Sequence, residues 1–157
     1  MLFNKEFMDE AVRLSKEGSS TGKGGPFGCV VVKDGKVVGK GYNLVSSTND
    51  PTAHAEVVAI RDACKNLNSF QLEDCEIYTS CEPCPMCLGA IYWARPSKVF
   101  YANTKQDAAN IGFDDAFIYE EIEYHPEDRF ITMYHRPDSD ALKVFKDWDN
   151  NENKIKY

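Results

Sequence analysis

Phe27-Gly28-Cys29-Val30-Val31-Val32-Lys33-Asp34-Gly35-Lys36-Val37-Val38-Gly39-Lys40-Gly41-Tyr42 is the stretch from which the fold can be read. Phe27 to Val32 is a compact apolar strand, Asp34-Gly35 is a hairpin turn pair, and Val37 to Tyr42 returns as the partner strand. Beyond it, Asn43 to Pro51 is polar and rich in turn residues, so it reads as a loop. A helix follows over Ala53 to Lys65, with Val57, Val58, Ile60 and Ala63 on its apolar face and Thr52 or Asp50 as its cap. Glu76 to Thr79 is a short strand. Pro85 suits the first turn of a second helix that runs to about Ala94 and stops before Pro96. Ser97 to Ala102 is a further strand. The order strand, strand, helix, strand, helix, strand predicts a three-layer α/β/α sandwich, with one sheet between helices.

Working outward, Gly18 to Gly25 is a glycine- and serine-rich loop. Met1 to Leu14 alternates charge and hydrophobe, and Phe7, Met8, Val12 and Leu14 give Asn4 to Glu17 helical periodicity. After Asn103 the pattern loosens: Ala116 to Ile122 and Ala141 to Trp148 read as helices, with Phe130 to Tyr134 extended between them. No repeat or low-complexity segment interrupts the chain, and residues 1–157 read as a single domain.

Of the 157 residues, 43% are apolar and 27% charged, the balance of an ordinary globular chain. No apolar run approaches the ~20 residues that span a bilayer. The N-terminus lacks a basic segment followed by an apolar one, so a cytoplasmic protein without membrane contact is expected. The net charge of −7 disfavours a nucleic-acid partner, since an acidic surface repels phosphates. The lysines and arginines are scattered; the grouping Lys33, Lys36 and Lys40 is broken by Asp34 and hydrophobes. Six cysteines, Cys29, Cys64, Cys75, Cys81, Cys84 and Cys87, would allow a disulfide framework. The clustering of the last three points instead to a metal.

The chemistry concentrates in His54-Ala55-Glu56 and Pro83-Cys84-Pro85-Met86-Cys87. Cys84 and Cys87 lie three apart at a helix start, so both sulfurs can face one atom beyond that terminus, where the helix dipole favours thiolate. His54 adds a neutral nitrogen from the start of the other helix. Two thiolates and one imidazole are three ligands, one short of tetrahedral zinc, leaving room for a water acidified toward neutral pH. Glu56, two residues past His54, can face the same cavity and carry protons as the catalytic residue. Three other uses compete: a redox Cys-x-x-C pair, a closed structural zinc site with Cys81 as fourth ligand, and a non-catalytic zinc module. Redox use lacks a thioredoxin-like context, and a structural site has no use for Glu56 beside the metal. His-x-Glu followed by Pro-Cys-x-x-Cys is the signature of the zinc deaminases.

The resemblance extends further. Gly24-Gly25-Pro26-Phe27-Gly28, Asn49 to Glu56, Tyr78 to Ala94, Gly112-Phe113-Asp114-Asp115 and the terminal Tyr157 resemble the bacterial guanine deaminases of the cytidine deaminase superfamily. The metal motif alone is shared with cytidine, deoxycytidylate, cytosine and tRNA-adenosine deaminases; the segments around Phe113 and Tyr157 narrow the resemblance to guanine. It implies a mixed sheet of five strands, one Zn2+ per subunit, a small purine substrate, and a homodimer whose C-terminal segment is exchanged between subunits. It further implies that zinc-dependent hydrolysis converts guanine to xanthine and ammonia. The alternatives are another small nucleobase or heterocycle, or tRNA adenosine, which would need a basic surface.

For the substrate, Asn43 offers an amide donor and acceptor suited to a purine edge, although asparagine in such loops also serves turns. Spacing leaves Phe27 open between stacking on a base and filling the core. The resemblance turns Phe27 and Asn43 toward the ligand, along with the main-chain N–H of Ala55, Asp115 and Tyr157. Without the resemblance, Asp115 reads as a solvated or capping carboxylate and Tyr157 as a frayed terminus. Trp93 reads as packing, His125 and His135 as surface or structural residues, and Cys29, Cys64 and Cys75 as small buried hydrophobes.

Overall fold

The structure, a computed structural model, describes residues 3–157. Met1 and Leu2, the first residues of the charge-alternating N-terminus, lie outside the described residues. The chain divides into two compact units, one ending at Asp115 and the other Ala116–Tyr157.

The first unit begins with α1 (Lys5–Ser20), capped by the Asn4 side chain, which accepts from the Glu6 N–H. The helix continues through Gly18 and Ser20, so the glycine-rich loop starts only at Thr21. Strands β1 (Gly28–Lys33) and β2 (Lys36–Tyr42) form the expected hairpin. Its turn residues Asp34 and Gly35 both have positive φ, 50° and 71°, as a type I′ turn requires. The loop after β2 contains a short turn of helix, α2 (Val45–Thr48). Then come α3 (Ala55–Leu67), β3 (Glu76–Cys81), α4 (Pro85–Ala94), β4 (Lys98–Asn103) and α5 (Lys105–Asn110). The last was not anticipated, although its Thr104–Asp107 capping box is written in the sequence.

The sheet order is β2-β1-β3-β4, with β1 antiparallel to β2 and β3, and β4 parallel to β3. Among the described residues it is mixed, as expected, but has four strands rather than five. The segment expected to supply another extended element, Phe130 to Tyr134, forms bends and irregular backbone. Its apolar side chains do not alternate with polar ones as a half-buried strand requires.

Strand alternation distributes the core to both faces of the sheet. On one face Val30, Val32 and Tyr78 pack against Met8, Ala11 and Leu14 of α1. On the other, Cys29, Val31 and Ile77 pack against Ala55, Ala59 and Ala63 of α3 and Ile91 and Ala94 of α4. The three-layer architecture is therefore present. It brings the N-termini of α3 and α4, on the same face, to one side of the sheet.

The second unit contains α6 (Ala116–Glu123), a 3-10 turn at Pro126–Asp128, and α7 (Ser139–Asp149), capped by Asp138. None of the described residues in these helices is buried. No described helix is long and apolar enough to cross a membrane.

Candidate metal and catalytic site

His54 is the N-cap residue of α3, displacing Thr52 and Asp50 from the role expected of them. Those two instead bond each other: Asp50 Oδ1 accepts from the Thr52 N–H at 2.8 Å and its hydroxyl at 2.6 Å. Cys84 is the N-cap of α4 and Pro85 its first residue, where a missing N–H leaves no helical bond unmade. Two helix N-termini thus meet, each presenting its positive end to the thiols.

The ligand atoms converge. Cys84 Sγ lies 3.5 Å and Cys87 Sγ 3.4 Å from His54 Nδ1. All three atoms lie within 4.8 Å of one another. For a tetrahedral zinc with bonds of about 2.3 Å to sulfur and 2.0–2.1 Å to nitrogen, the S···N separation is about 3.6 Å. The donor set and its spacing fit zinc. Cys81, the alternative fourth ligand, does not join the group; its Sγ approaches the Thr104 carbonyl at 3.6 Å.

Electrostatics follow the geometry. The Cys84 thiol is pulled down to about 4, chiefly by its hydrogen bond with Cys87 and also by that with His54, against the effect of burial. Cys87 moves upward, because it keeps the proton in that pair and is buried beside Glu56. The Cys84 hydrogen bond also raises His54. Glu56, only 6% exposed, is pushed up by burial. Its Oε2 accepts from the Cys87 thiol at 3.4 Å and its Oε1 from the Thr79 hydroxyl at 3.1 Å. The carboxyl group is therefore next to the ligand group without belonging to it.

A cavity of about 490 Å³ opens over these residues, lined by Phe27, Asn43, His54, Glu56, Cys84 and Asp115 among others. That volume is in the range of small-molecule sites. Asn43 is buried, but its Oδ1 already accepts from the Gly25 and Val45 N–H groups at 3.3 and 3.2 Å. The two-ended amide expected from sequence therefore retains only its NH2 end for a ligand. Asp115 is raised by burial, unlike a freely solvated carboxylate. Ala55 is fully buried as the first residue of α3, where its N–H has no acceptor within the helix. Tyr157 ends the second unit and is 70% exposed.

Phe113 and Thr79 are among the residues of this region that carried no site role from sequence. Phe113 lines the cavity and meets Phe27 edge to face, with centroids 4.9 Å apart and an interplanar angle of 89°. Its run Gly112 to Asp115 was the available signal. Thr79 gave none, since a threonine in a strand usually signifies β-propensity alone.

Residues 1–103 match the family model for the cytidine and deoxycytidylate deaminase zinc-binding region. The chain is 56% identical to guanine deaminase of Bacillus subtilis over 154 residues, covering 98% of this chain and 99% of that one. The X-ray structure of Bacillus subtilis guanine deaminase superposes with a TM-score of 0.96 at 55% identity, covering 99% of both chains. A tRNA-specific adenosine deaminase of Aquifex aeolicus is 42% identical over 96 residues, which is 61% of this chain and 63% of that one. The likeness that runs the full length of both partners, cavity and C-terminal unit included, is thus with guanine deaminase. The chain belongs to the cytidine and deoxycytidylate deaminase family of zinc-binding enzymes, on its guanine deaminase branch.

Proposed function

We propose that this protein catalyses the hydrolytic deamination of guanine to xanthine and ammonia, a step of purine breakdown or salvage, in the cytoplasm. The observation that carries the reading is the placement of the Glu56 carboxyl group against Cys87, at the edge of a His54–Cys84–Cys87 cluster that opens into a cavity of nucleobase size. His54, Cys84 and Cys87 would hold one zinc ion per subunit, whose chemistry is to make water acidic enough to attack near neutral pH. Glu56 accepts the proton of the attacking water and delivers it to a ring nitrogen as oxygen adds at C2. It then carries the second proton to the departing amino group, so that guanine and water leave as xanthine and ammonia.

Asn43 donates through its NH2 group to a carbonyl or ring nitrogen of the purine. Phe27, braced by Phe113, supplies a face for stacking. The Ala55 N–H and the Asp115 carboxyl group complete the polar recognition from the first unit, and Tyr157 of a partner subunit closes the pocket.

The exchange of C-terminal segments in a homodimer, which makes the two units one functional domain, is supported by surface chemistry. The second unit exposes Phe130 at 90%, Phe145 at 75% and Ile131 at 77%, a burden of apolar surface that a short unit does not carry alone in water. The β4 edge of the four-stranded sheet is also open for pairing.

The test is ammonia release by the zinc-loaded protein from guanine, adenine, cytosine, cytidine and a tRNA anticodon stem-loop, with Glu56→Gln as control. Release from guanine alone, lost in the variant, is expected. Turnover of another base but not guanine would overturn the assignment of Asn43, Asp115 and Tyr157 to guanine.

A further inference from the structure

Thr79 stands in the middle of β3, which is paired on both sides: Thr79 is in register with Cys29 of β1 and Tyr101 of β4. It is 1% exposed. A hydroxyl group buried this deeply in an apolar layer is unfavourable unless it is hydrogen-bonded, and valine would fill the same volume with equal or better strand propensity. The hydroxyl donates to Glu56 Oε1 at 3.1 Å. The other oxygen, Oε2, takes its hydrogen bond from the Cys87 thiol at 3.4 Å. Of these two side-chain donors, Thr79 is the one that belongs to the sheet and not to the His54–Cys84–Cys87 group.

We propose that Thr79 is a positioning residue, whose hydroxyl anchors Oε1 of Glu56 so that Oε2 stays aimed at the reacting water. A glutamate has three rotatable side-chain bonds, and a proton carrier that works at two successive steps must return to one geometry between them. A two-sided central strand is the most rigid platform the fold offers, so the anchor does not move with the cavity walls. Glu56 lies at the second position of α3 and Thr79 in β3, so their hydrogen bond also fixes the helix terminus that carries His54 to the sheet. This assignment rests on the proposed proton-carrying role of Glu56.

The experiment compares zinc-loaded parent, Thr79→Val and Thr79→Ser for zinc content, melting temperature, and kcat and KM with guanine. The expected result is that both variants bind zinc to the parent stoichiometry. Thr79→Val loses roughly ten- to a hundredfold in kcat with KM within about threefold, and Thr79→Ser recovers most of that loss. An unchanged kcat in Thr79→Val, a loss confined to KM, or a folded Thr79→Ser as impaired as Thr79→Val overturns the proposal. If Thr79→Val does not fold, Thr79→Ser decides: kcat near the parent value supports the anchor, and a loss beyond tenfold with full zinc overturns it. A parent without turnover on any base removes the proton-carrying reading and this proposal together, whereas an active parent with an indifferent Thr79→Val removes the anchor alone.

Discussion

Gly41 lies directly beneath Ala55: a Cβ on Gly41 would stand 2.5 Å from the Ala55 carbonyl oxygen and 2.6 Å from the Ala59 nitrogen. The absence of a side chain on β2 therefore sets how closely the first turn of α3 approaches the sheet. That turn carries both His54 and Glu56. Gly41→Ala would push α3 outward, because the Ala55 oxygen and the Ala59 nitrogen are backbone atoms and cannot rotate aside. It is expected to destabilise the protein by about 1–3 kcal/mol and to reduce turnover of the protein that remains folded. Urea unfolding and steady-state kinetics at matched zinc content measure the two effects. A variant with parent stability would show that the helix can lift without penalty.

Removal of zinc should abolish turnover before it abolishes the fold. The proposed ligands sit at the N-terminal ends of α3 and α4, while the core that holds those helices is built from Ala55, Ala59, Ala63, Ile91 and Ala94. Chelation is expected to lower the melting temperature, because an ion bound only by the native state stabilises it. Most of the far-ultraviolet circular dichroism should survive, and added zinc should restore activity where magnesium does not. Loss of all secondary structure on chelation would mark the site as structural.

Glu10 is a surface contributor to the pH dependence of stability. Glu10 accepts two hydrogen bonds from Arg13, at 2.7 and 2.9 Å, and one from Lys40 of β2 at 2.7 Å. Arg13 first, and then Lys40, hold its carboxyl group down at about 2 against an ordinary value of 4.5. A carboxyl depressed in the folded state binds fewer protons there than in the unfolded chain. Its contribution is thus fully present above about pH 4.5 and disappears as pH falls toward 2. Both cations are about half exposed, so solvent screening limits the effect to under about 1 kcal/mol. Glu10→Gln should melt slightly below the parent at pH 7, with the gap closing between pH 4.5 and 2. A gap that is constant with pH would contradict the assignment.

Deleting Tyr157 should lower guanine turnover much more than it lowers the melting temperature. The residue is 70% exposed, so its loss removes little packing from its own chain. Kinetics of the truncated protein, alongside its sedimentation behaviour, test this. Full activity without Tyr157 would remove it from the pocket.

The legible parts of the protein are those whose chemistry is local. Cys84 and Cys87 are one helical turn apart, and His54 and Glu56 two residues apart, so sequence spacing alone brings each pair to a common point. The hairpin was equally plain, since Asp34-Gly35 has the backbone freedom its turn needs. What stayed hidden depends on contacts distant in sequence. Only the fold brings the Gly25 N–H, 18 residues away, onto the Asn43 oxygen. Only the packing of β3 against α3 gives Thr79 a partner 23 residues away. The cap of α3 was misread because His54 occupies the N-cap position without a capping hydrogen bond from its side chain. Propensity favours Asp or Thr at such a position. The expected fifth strand came from the resemblance and not from any alternation in Phe130 to Tyr134.

Hydrolysis with Glu56 as proton carrier can be followed by turning over guanine in oxygen-18 water. Xanthine carrying one labelled oxygen is expected, with an equal amount of ammonia, and neither product from a Glu56→Gln variant that still holds zinc. Xanthine without label, or a Glu56→Gln variant as active as the parent, would contradict it.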